Sequence, residues 1–296
     1  MSPDVVCVGV PFLDITFTGM GRMPVLGEEH LADTVEYTPG GLANVALGLT
    51  RLGLEAAVWS PVGGDTSGLL LAALMAEEGI DWIGPAAARS AVSAILPVDG
   101  DRAFVTVSPE FEIDTEAVAA LDPRAVVIDL PAVDLAPEGP DVHAVIGDVD
   151  ARAHAGRPPA GLGHLRTLLV NGPEARLLSG IDDAAAAAEA LAEHCPRVVV
   201  TLGAGGAVCA GPHGVAAAAA PQVPAVDTNG AGDLFTAAWV WADLAGAPVE
   251  EALKLAVAYA SLSVRVPTTR AGALTLEAFR REAPLDAIIP PNGVRR

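Results

Sequence analysis

The sequence predicts an α/β protein built on an open, largely parallel sheet, and three observations carry that prediction. Short apolar runs bounded by turn residues alternate with helical patterns from one end of the chain to the other. Glycine-rich and polar clusters fall just behind those runs, where open α/β sheets bind ligands. The 296 residues, 51% of them hydrophobic, are enough for a large core.

The elements follow in order. Val5–Val10 reads as a first strand: it is too short for a leader's apolar region, stops at Pro11, and has no basic residues before it. Ile15–Thr38 breaks the rhythm with strand-and-turn character. Leu42–Leu52 is a helix whose apolar face is Leu42, Val45, Ala46, Leu49 and Leu52, closed by Gly53. The strand Ala56–Pro61 leads to the helix Leu69–Glu78, with Asp65 or Thr66 as its cap. Ala91–Val107 is the second interruption and carries a hairpin signal at Val98-Asp99-Gly100-Asp101. Strands Ala125–Leu130, His143–Gly147, Thr167–Val170 and Arg197–Leu202 alternate with helices Glu174–Leu178 and Ala184–Glu193, the latter capped from Asp182-Asp183. Ala216–Ala220, boxed between Pro212-His213-Gly214 and Pro221, has too little chain for a helix and is assigned as strand despite alanine's propensity. Ala225-Val226 reads as the end of a short strand before the helix of Leu234, Ala238, Trp241 and Ala245, which Gly246 and Pro248 stop. The final dozen residues, with Pro290-Pro291 and Arg295-Arg296, read as a surface tail.

Composition excludes several classes. A formal charge of −20, from 37 acids against 17 bases, argues against nucleic acid and anionic membranes as partners. No apolar stretch reaches spanning length, so a soluble protein is expected. Cys7, Cys195 and Cys209 are scattered, which fits unpaired thiols in a reducing, cytoplasmic compartment.

The strongest motif is Asp227-Thr228-Asn229-Gly230-Ala231-Gly232-Asp233. A glycine turn opening a helix aims free backbone N–H groups at an anion, and Asp233 adds a carboxylate in the first turn. Phosphoryl transfer to an alcohol requires such a phosphate pocket with a base beside it. In Gly40-Gly41-Leu42-Ala43-Asn44 the glycines let a ligand touch the backbone, and Asn44 offers a donor and an acceptor to a hydroxyl. Read alone, the same residues describe an ordinary helix start. Asn171-Gly172-Pro173-Glu174 has two readings: a helix start with Pro173 at its first position, or, through Glu174 and Asn171, a holder of Mg²⁺ water ligands. Thr201-Leu202-Gly203-Ala204-Gly205-Gly206 ends another strand with glycines that allow a nucleotide close. Gly63-Gly64-Asp65-Thr66-Ser67-Gly68 is explained by capping alone.

Together these residues resemble the ribokinase-like (PfkB) family of carbohydrate and nucleoside kinases. Gly40–Ala46 is similar to the family's N-terminal signature and Asp227–Asp233 to its C-terminal one, with Asn171-x-x-Glu174 and Thr201-x-Gly203-x-x-Gly206 between them in the family's order. The resemblance runs from Val5 to about Phe279. It implies a single kinase domain over residues 1–296, a three-layer α/β/α fold with a small β lid formed by about 15–38 and 91–107. It further implies ATP and Mg²⁺, with Asp233 as general base and the amides of Gly230, Ala231 and Gly232 as anion hole. Asp14, Gly40, Gly41 and Asn44 would bind the acceptor. Asn171, Thr201, Gly203, Gly206 and Thr228 would contact the nucleotide, Glu174 would act on Mg²⁺ through water, and Asp227 with the backbone near Val266–Ala271 would hold a monovalent cation such as K⁺. The acceptor is expected to be a small sugar or a nucleoside; Phe12, Phe17, Phe104 and Phe111 near the lid are available to stack on a base. An apolar lid face would also suit a homodimer.

The sequence departs from the family where relatives line the adenine pocket: Leu253–Ser263 offers Tyr259 and small apolar residues. Asp129-Leu130-Pro131 ends a strand without an identifiable sugar-binding acid. A P-loop kinase is excluded because the one lysine, Lys254, lies between two leucines in a helical pattern. A dinucleotide oxidoreductase lacks its glycine fingerprint after the first strand. A non-catalytic sensor would have lost the base or the anion-hole glycines, and both are present.

Overall fold

The computed structural model describes residues 2–98, 101–109 and 112–283. Fifteen strands and ten α-helices occur among them. The main sheet has nine strands: β1 (Val5–Val8), β4 (Ala56–Trp59), β6 (Asp81–Ile83), β10 (Ala125–Asp129), β11 (Asp141–Val145), β12 (Thr167–Asn171), β13 (Val198–Thr201), β14 (Ala207–Gly211) and β15 (Gly214–Ala218). Their order is β15-β14-β13-β12-β11-β10-β1-β4-β6, and all neighbours pair in parallel except β13-β14 and β14-β15. The chain moves outward from β1 to β6 on one side and from β10 onward on the other. The topological switch point therefore falls between β1 and β10, and a crevice opens there at the carboxyl ends of the strands.

Helices cover both faces. On one face α1 (Leu42–Arg51), α2 (Thr66–Glu77), α7 (Ala231–Leu244), α8 (Val249–Ser263) and α10 (Leu276–Glu282) pack with Val5, Cys7, Val58 and Val127. On the other, α3 (Thr115–Ala119), α4 (Asp148–Ala153), α5 (Gly172–Ser179) and α6 (Ala184–Ala192) pack with Val6, Val8, Val126 and Ile128. Successive residues of one strand serve opposite cores, so buried parallel strands read as continuous apolar runs. The three layers predicted from the family resemblance are present.

Both interrupting segments are β-structure. A second sheet of order β3-β2-β8-β9 joins β2 (Pro11–Thr18) and β3 (Thr34–Gly41) to β8 (Ala91–Val98) and β9 (Asp101–Val107). β2 pairs with β8 in parallel, with Asp14 opposite Ser93, so the two segments share one sheet. The first segment starts earlier than expected, at Pro11, because β2 pairs with β3 all the way back to Gly41. β8 and β9 pair down to Val98 and Asp101, the flanks of the hairpin signal, whose Asp99 and Gly100 lie outside the described residues. β5 (Val62–Gly63) and β7 (Ala86–Ala87) form a small ribbon, and α9 (Thr269–Gly272) is a single turn after α8. Phe111 and the predicted tail also lie outside the described residues.

Ala216–Ala220 belongs in part to β15, as its flanking residues dictated. Ala225-Val226 is the exception: no strand forms there. Pro221 and Pro224 interrupt the donors a ladder needs, and the N–H of Val226 instead reaches the carbonyl of Val264 just past α8, 2.7 Å away. The Asp227–Asp233 motif is thus approached by a loop held on α8.

Candidate active site

Two helices that begin at glycine meet at the crevice. α1 starts after Gly41 (φ +60°) and α7 after Gly230 (φ +69°), and neither receives a side-chain cap. By contrast α2, α3, α5, α6, α9 and α10 are capped by Asp65, Asp114, Asn171, Asp183, Thr268 and Thr275. First-turn amides of α7 therefore keep the dipole and donors that an anion needs. A Cβ on Gly48 would lie 2.5 Å from Ala237 Cβ, so only glycine lets α1 and α7 pack this closely.

That packing joins the two signature motifs. Asn44 Nδ2 donates to Asp233 Oδ2 at 2.9 Å. Asn44 is buried, and its Oδ1 has no hydrogen-bond partner among the described residues. A buried amide oxygen left without a donor costs free energy until something supplies one.

Asp14, on β2, is buried with its carboxylate above Gly40, where an added Cβ would lie 2.1 Å from Oδ2. Burial and then the nearby Asp233 charge push its pKa up to about 7. Asp129 ends β10 at the switch point beside Gly9, whose Cβ would meet Asp129 Oδ2 at 2.5 Å. Burial, followed by Asp150 and Asp233, raises its pKa to about 7 as well. Asp129 is the functional candidate that the sequence reading left unassigned. The signal was present, since a polar residue ending a buried parallel strand is the rule that singled out Asn171.

Asn171 and Glu174 form a full capping box: Asn171 Oδ1 accepts from the Glu174 N–H at 2.9 Å, and the Glu174 carboxylate accepts from the Asn171 N–H and Nδ2 at 2.8 and 2.7 Å. The helix starts at Gly172, so Pro173 is its second residue and not its first. Glu174 is nevertheless raised to about 7, because burial outweighs the Asn171 hydrogen bonds and the Asp148 and Asp233 charges add to it. Each carboxylate oxygen retains a lone pair, which fits contact with Mg²⁺ through water. Strand register brings Asn171 opposite Thr201. Beyond Thr201 the chain turns through Gly203 (φ +56°) and Gly206 (φ +95°).

Asp227 is engaged by backbone: it accepts from the Asn229 N–H at 2.8 Å and the Thr268 N–H at 2.9 Å. It thereby holds Thr268 in a left-handed conformation (φ +65°) that threonine rarely adopts. Thr269 Oγ1 donates to the Asn229 carbonyl at 3.0 Å and crowds Gly230, where a Cβ would lie 2.2 Å from that oxygen. No basic side chain bonds Asp227 among the described residues; its partners are the two backbone N–H groups. Thr228 is exposed beside this turn, and its carbonyl accepts a long contact of 3.4 Å from the Ala231 N–H.

Tyr259 does not line a nucleotide pocket. It is fully buried, donates to the Leu274 carbonyl at 2.7 Å and packs edge-on against Phe279. The Gly63–Gly68 cluster is structural too: Asp65 caps α2 and also accepts from the Ser90 N–H and hydroxyl, at 3.2 and 2.7 Å. The three cysteines are free and buried, and no helix among the described residues is long and apolar enough to cross a membrane.

Comparison with known proteins agrees with this architecture. Ribokinase from Bacillus subtilis is 29% identical over 278 residues, covering 88% of this chain and 92% of its own. Acarbose 7(IV)-phosphotransferase from an Actinoplanes strain is 42% identical over 67 residues, a match spanning 23% of this chain and 22% of that protein. Arabidopsis thaliana ribokinase, solved with ribose and ATP, superposes with a TM-score of 0.78 at 24% identity, covering 95% of this chain and 98% of its own. Adenosine kinase from Sinorhizobium meliloti does so with 0.76 at 20% identity, covering 96% and 100%. These two likenesses speak to the fold. The profile of the pfkB family carbohydrate kinases matches residues 3–123 and 146–276, and with that match the chain belongs to the pfkB family and is an ATP-dependent carbohydrate kinase.

Proposed function

We propose that this enzyme transfers the γ-phosphoryl group of ATP to a hydroxymethyl group of a sugar or sugar derivative, with Asp233 as general base. The observation that carries the reading is the 2.9 Å hydrogen bond from Asn44 to Asp233, which unites a hydroxyl-binding amide and a carboxylate beside an uncapped helix start. Asp14, Gly40, Gly41 and Asn44 hold the acceptor so that one hydroxyl rests against Asp233. Asp233 takes the hydroxyl proton as the oxygen attacks phosphorus. The amides of Gly230, Ala231 and Gly232 balance negative charge on the moving phosphoryl group.

Asn171, Thr201, Gly203, Gly206 and Thr228 flank the nucleotide. Mg²⁺, when bound, neutralises phosphate charge; Glu174 orients its water shell and Asp227 holds a monovalent cation such as K⁺. The second sheet acts as a lid over the acceptor and excludes water that would compete for the phosphoryl group. Its exposed Val35, Tyr37, Phe104 and Val105 make it the contact of a homodimer. A cytoplasmic location fits the free thiols.

A nucleoside acceptor is the second reading, favoured by the fold shared with adenosine kinase and by Phe104, half-exposed on β9. Turnover of a sugar and nucleoside panel separates the two. Asp233→Asn should leave ATP binding intact and lower kcat by about 10²–10⁴, the usual worth of general-base assistance. A variant keeping more than about a tenth of the activity removes Asp233 from that role.

A further inference from the structure

The second sheet has two unlike faces. Its four strands pair without a break in register, so residues directly opposite one another point the same way. One rung runs Thr38, Asp14, Ser93, Thr106 across β3, β2, β8 and β9. Every side chain in it carries oxygen, and the Ser93 and Thr106 hydroxyls are hydrogen-bonded at 2.8 Å. The adjoining rung, on the opposite face, is Pro39, Leu13, Val92 and Val107, wholly apolar; Leu13 belongs to the core and Val92 packs on it. The oxygen-bearing rung faces the crevice. Asp14 Oδ2 lies against Gly40, two residues before α1, and Asn44 in the first turn of that helix donates to Asp233 at 2.9 Å. Thr38, Asp14 and Ser93 are buried, whereas Thr106 on the edge strand β9 is exposed, so the rung leads from the closed end of the pocket out to solvent. Neither the Asp14 carboxylate nor the Thr38 hydroxyl has a hydrogen-bond partner among the described residues. The Ser93–Thr106 bond uses one hydroxyl hydrogen and leaves the other, with three lone pairs, for a ligand.

We propose that this rung selects an acceptor longer than one sugar ring, a disaccharide or other glycoside, whose reacting sugar rests on Asp14 and Asn44 and whose second unit rests on Ser93 and Thr106. This depends on the reading above, in which the reacting hydroxyl meets Asp233. Neighbouring strands stand about 4.8 Å apart, which puts Ser93 roughly 5 Å and Thr106 roughly 10 Å along the rung from Asp14. A single hexose ring spans roughly 5–6 Å between opposite hydroxyl oxygens at bond lengths near 1.5 Å, so it reaches Ser93 and stops short of Thr106. The exposed end of the rung leaves room for a glycosidic extension. Donors and acceptors along it match the hydroxyl edge of a sugar. Phe12 flanks the rung on one side and Phe104 on the other, where C–H faces of the rings would lie. A nucleoside would set a flat aromatic base there, whose faces offer the two hydroxyls no partner.

The test is the initial rate of ADP formation by the full-length protein with ATP and Mg²⁺. Maltose is set against glucose, lactose against galactose and sucrose against fructose, with adenosine as the nucleoside. We expect at least one disaccharide to exceed its monosaccharide about tenfold in kcat/KM, and adenosine to fall below that disaccharide. Thr106→Val should raise the disaccharide KM about three- to tenfold, the net worth of a hydrogen bond, and leave kcat, the ATP KM and the monosaccharide KM unchanged. Thr106→Ser, which keeps the hydroxyl, should bring the disaccharide KM back. Monosaccharides turned over as well as disaccharides in every pair overturn the proposal. So does adenosine ahead of every sugar, and so does absence of turnover with every member of the panel. A Thr106→Val variant that loses thermal stability but keeps the disaccharide KM also overturns it, because Ser93 and Thr106 are then only a cross-strand pair. The wider reading fails on separate evidence: full turnover by Asp233→Asn would sink it, whereas a monosaccharide preference with an inactive Asp233→Asn leaves it standing.

Discussion

At the scale of single residues, the crevice carries a stability cost that function explains. Asp129 is held near the charges of Asp150 and Asp233 and prefers its proton, with a pKa of about 7 against 3.8 in an open chain. A carboxylate raised in this way stabilises the fold below about pH 4 and loses that contribution as pH rises through 7. Asp129→Asn should therefore raise Tm at pH 8 by a few degrees and change it little at pH 4, which thermal unfolding at the two pH values would check. A lower Tm at pH 8 would mean that Asp129 has an attractive partner. Glu174 has two duties, the capping box and the proposed Mg²⁺ shell. Glu174→Gln keeps one carbonyl oxygen for the cap, so it should raise the Mg²⁺ concentration giving half-maximal rate and lower kcat, with acceptor KM little changed. Unchanged Mg²⁺ dependence would reduce Glu174 to a helix cap.

At the scale of elements, α9 buttresses the Asp227–Asp233 turn. Arg270 donates from Nε to Glu78 at 2.7 Å and from Nη2 to Glu77 at 2.8 Å, and Arg51 of α1 donates to Glu78 from the other side at 2.8 Å. Burial works against the Glu78 charge, yet the two arginines hold its pKa below the ordinary value. The neighbours of Arg270 grip the motif: Thr268 through its N–H to Asp227, and Thr269 through its hydroxyl to the Asn229 carbonyl. Arg270→Ala leaves Glu78 with one partner and removes the anchor of a turn that already holds Thr268 in a strained conformation. The expected result is a fall in kcat of about tenfold, since misplacing a catalytic group by a fraction of an ångström is costly. The Kd for ATP should change much less. Equal losses in kcat and ATP binding would point to general loosening of the fold. Sequence alone did not disclose this arrangement, because Glu78 and Arg270 are 192 positions apart.

At the scale of the whole molecule, the two edges of the sheet respond oppositely to acid. At the amino edge, away from the crevice, Asp243 is buried; burial opposes its charge, but hydrogen bonds from Arg166 and Arg197 lower its pKa to about 2. Its contribution, about 2 kcal/mol, is present above pH 4 and lost as pH falls through 2. His143 beside it is buried; burial, opposed by Asp243, lowers its pKa to about 3, so stability falls as pH drops from 6.5 towards 3. At the carboxyl edge Asp14, Asp129 and Glu174 gain stability over the range 7 to about 4.5. Three groups there outweigh one histidine down to the ordinary carboxylate range, so the ligand-free protein should be most stable near pH 4 and lose stability towards both pH 8 and pH 2. Denaturant titration across that range tests it; a maximum at neutral pH would contradict the crevice assignments. Asp243→Asn should cost about 3–5 kcal/mol, the toll of breaking a buried ion cluster, and leave kcat of the folded fraction unchanged.

The sequence by itself determined most core strands and the longer helices, but not the short β5, β6 and β7, the strand β14 or the short α3, α4, α9 and α10. Strands buried on both faces must be continuously apolar, and their ends must carry caps and turns. Val5–Val8, Thr167–Asn171 and Ala184–Ala192 are local statements of that rule, and even the alanine run before Pro221 followed from its flanks. It also determined the family, since Gly40–Ala46 and Asp227–Asp233 are local motifs. What only the tertiary structure decided is which distant residues share a space. Asn44 meets Asp233 across 189 positions because Gly48 lets α1 and α7 touch. Asp129 joins them because the sheet reverses its order between β1 and β10. Ala225-Val226 failed as a strand because its hydrogen-bond acceptor, the Val264 carbonyl, comes from a segment nearly forty residues away. Local sequence fixes the backbone's periodicity and where it must turn; burial, charge and acceptor geometry depend on long-range packing, which a linear reading does not contain.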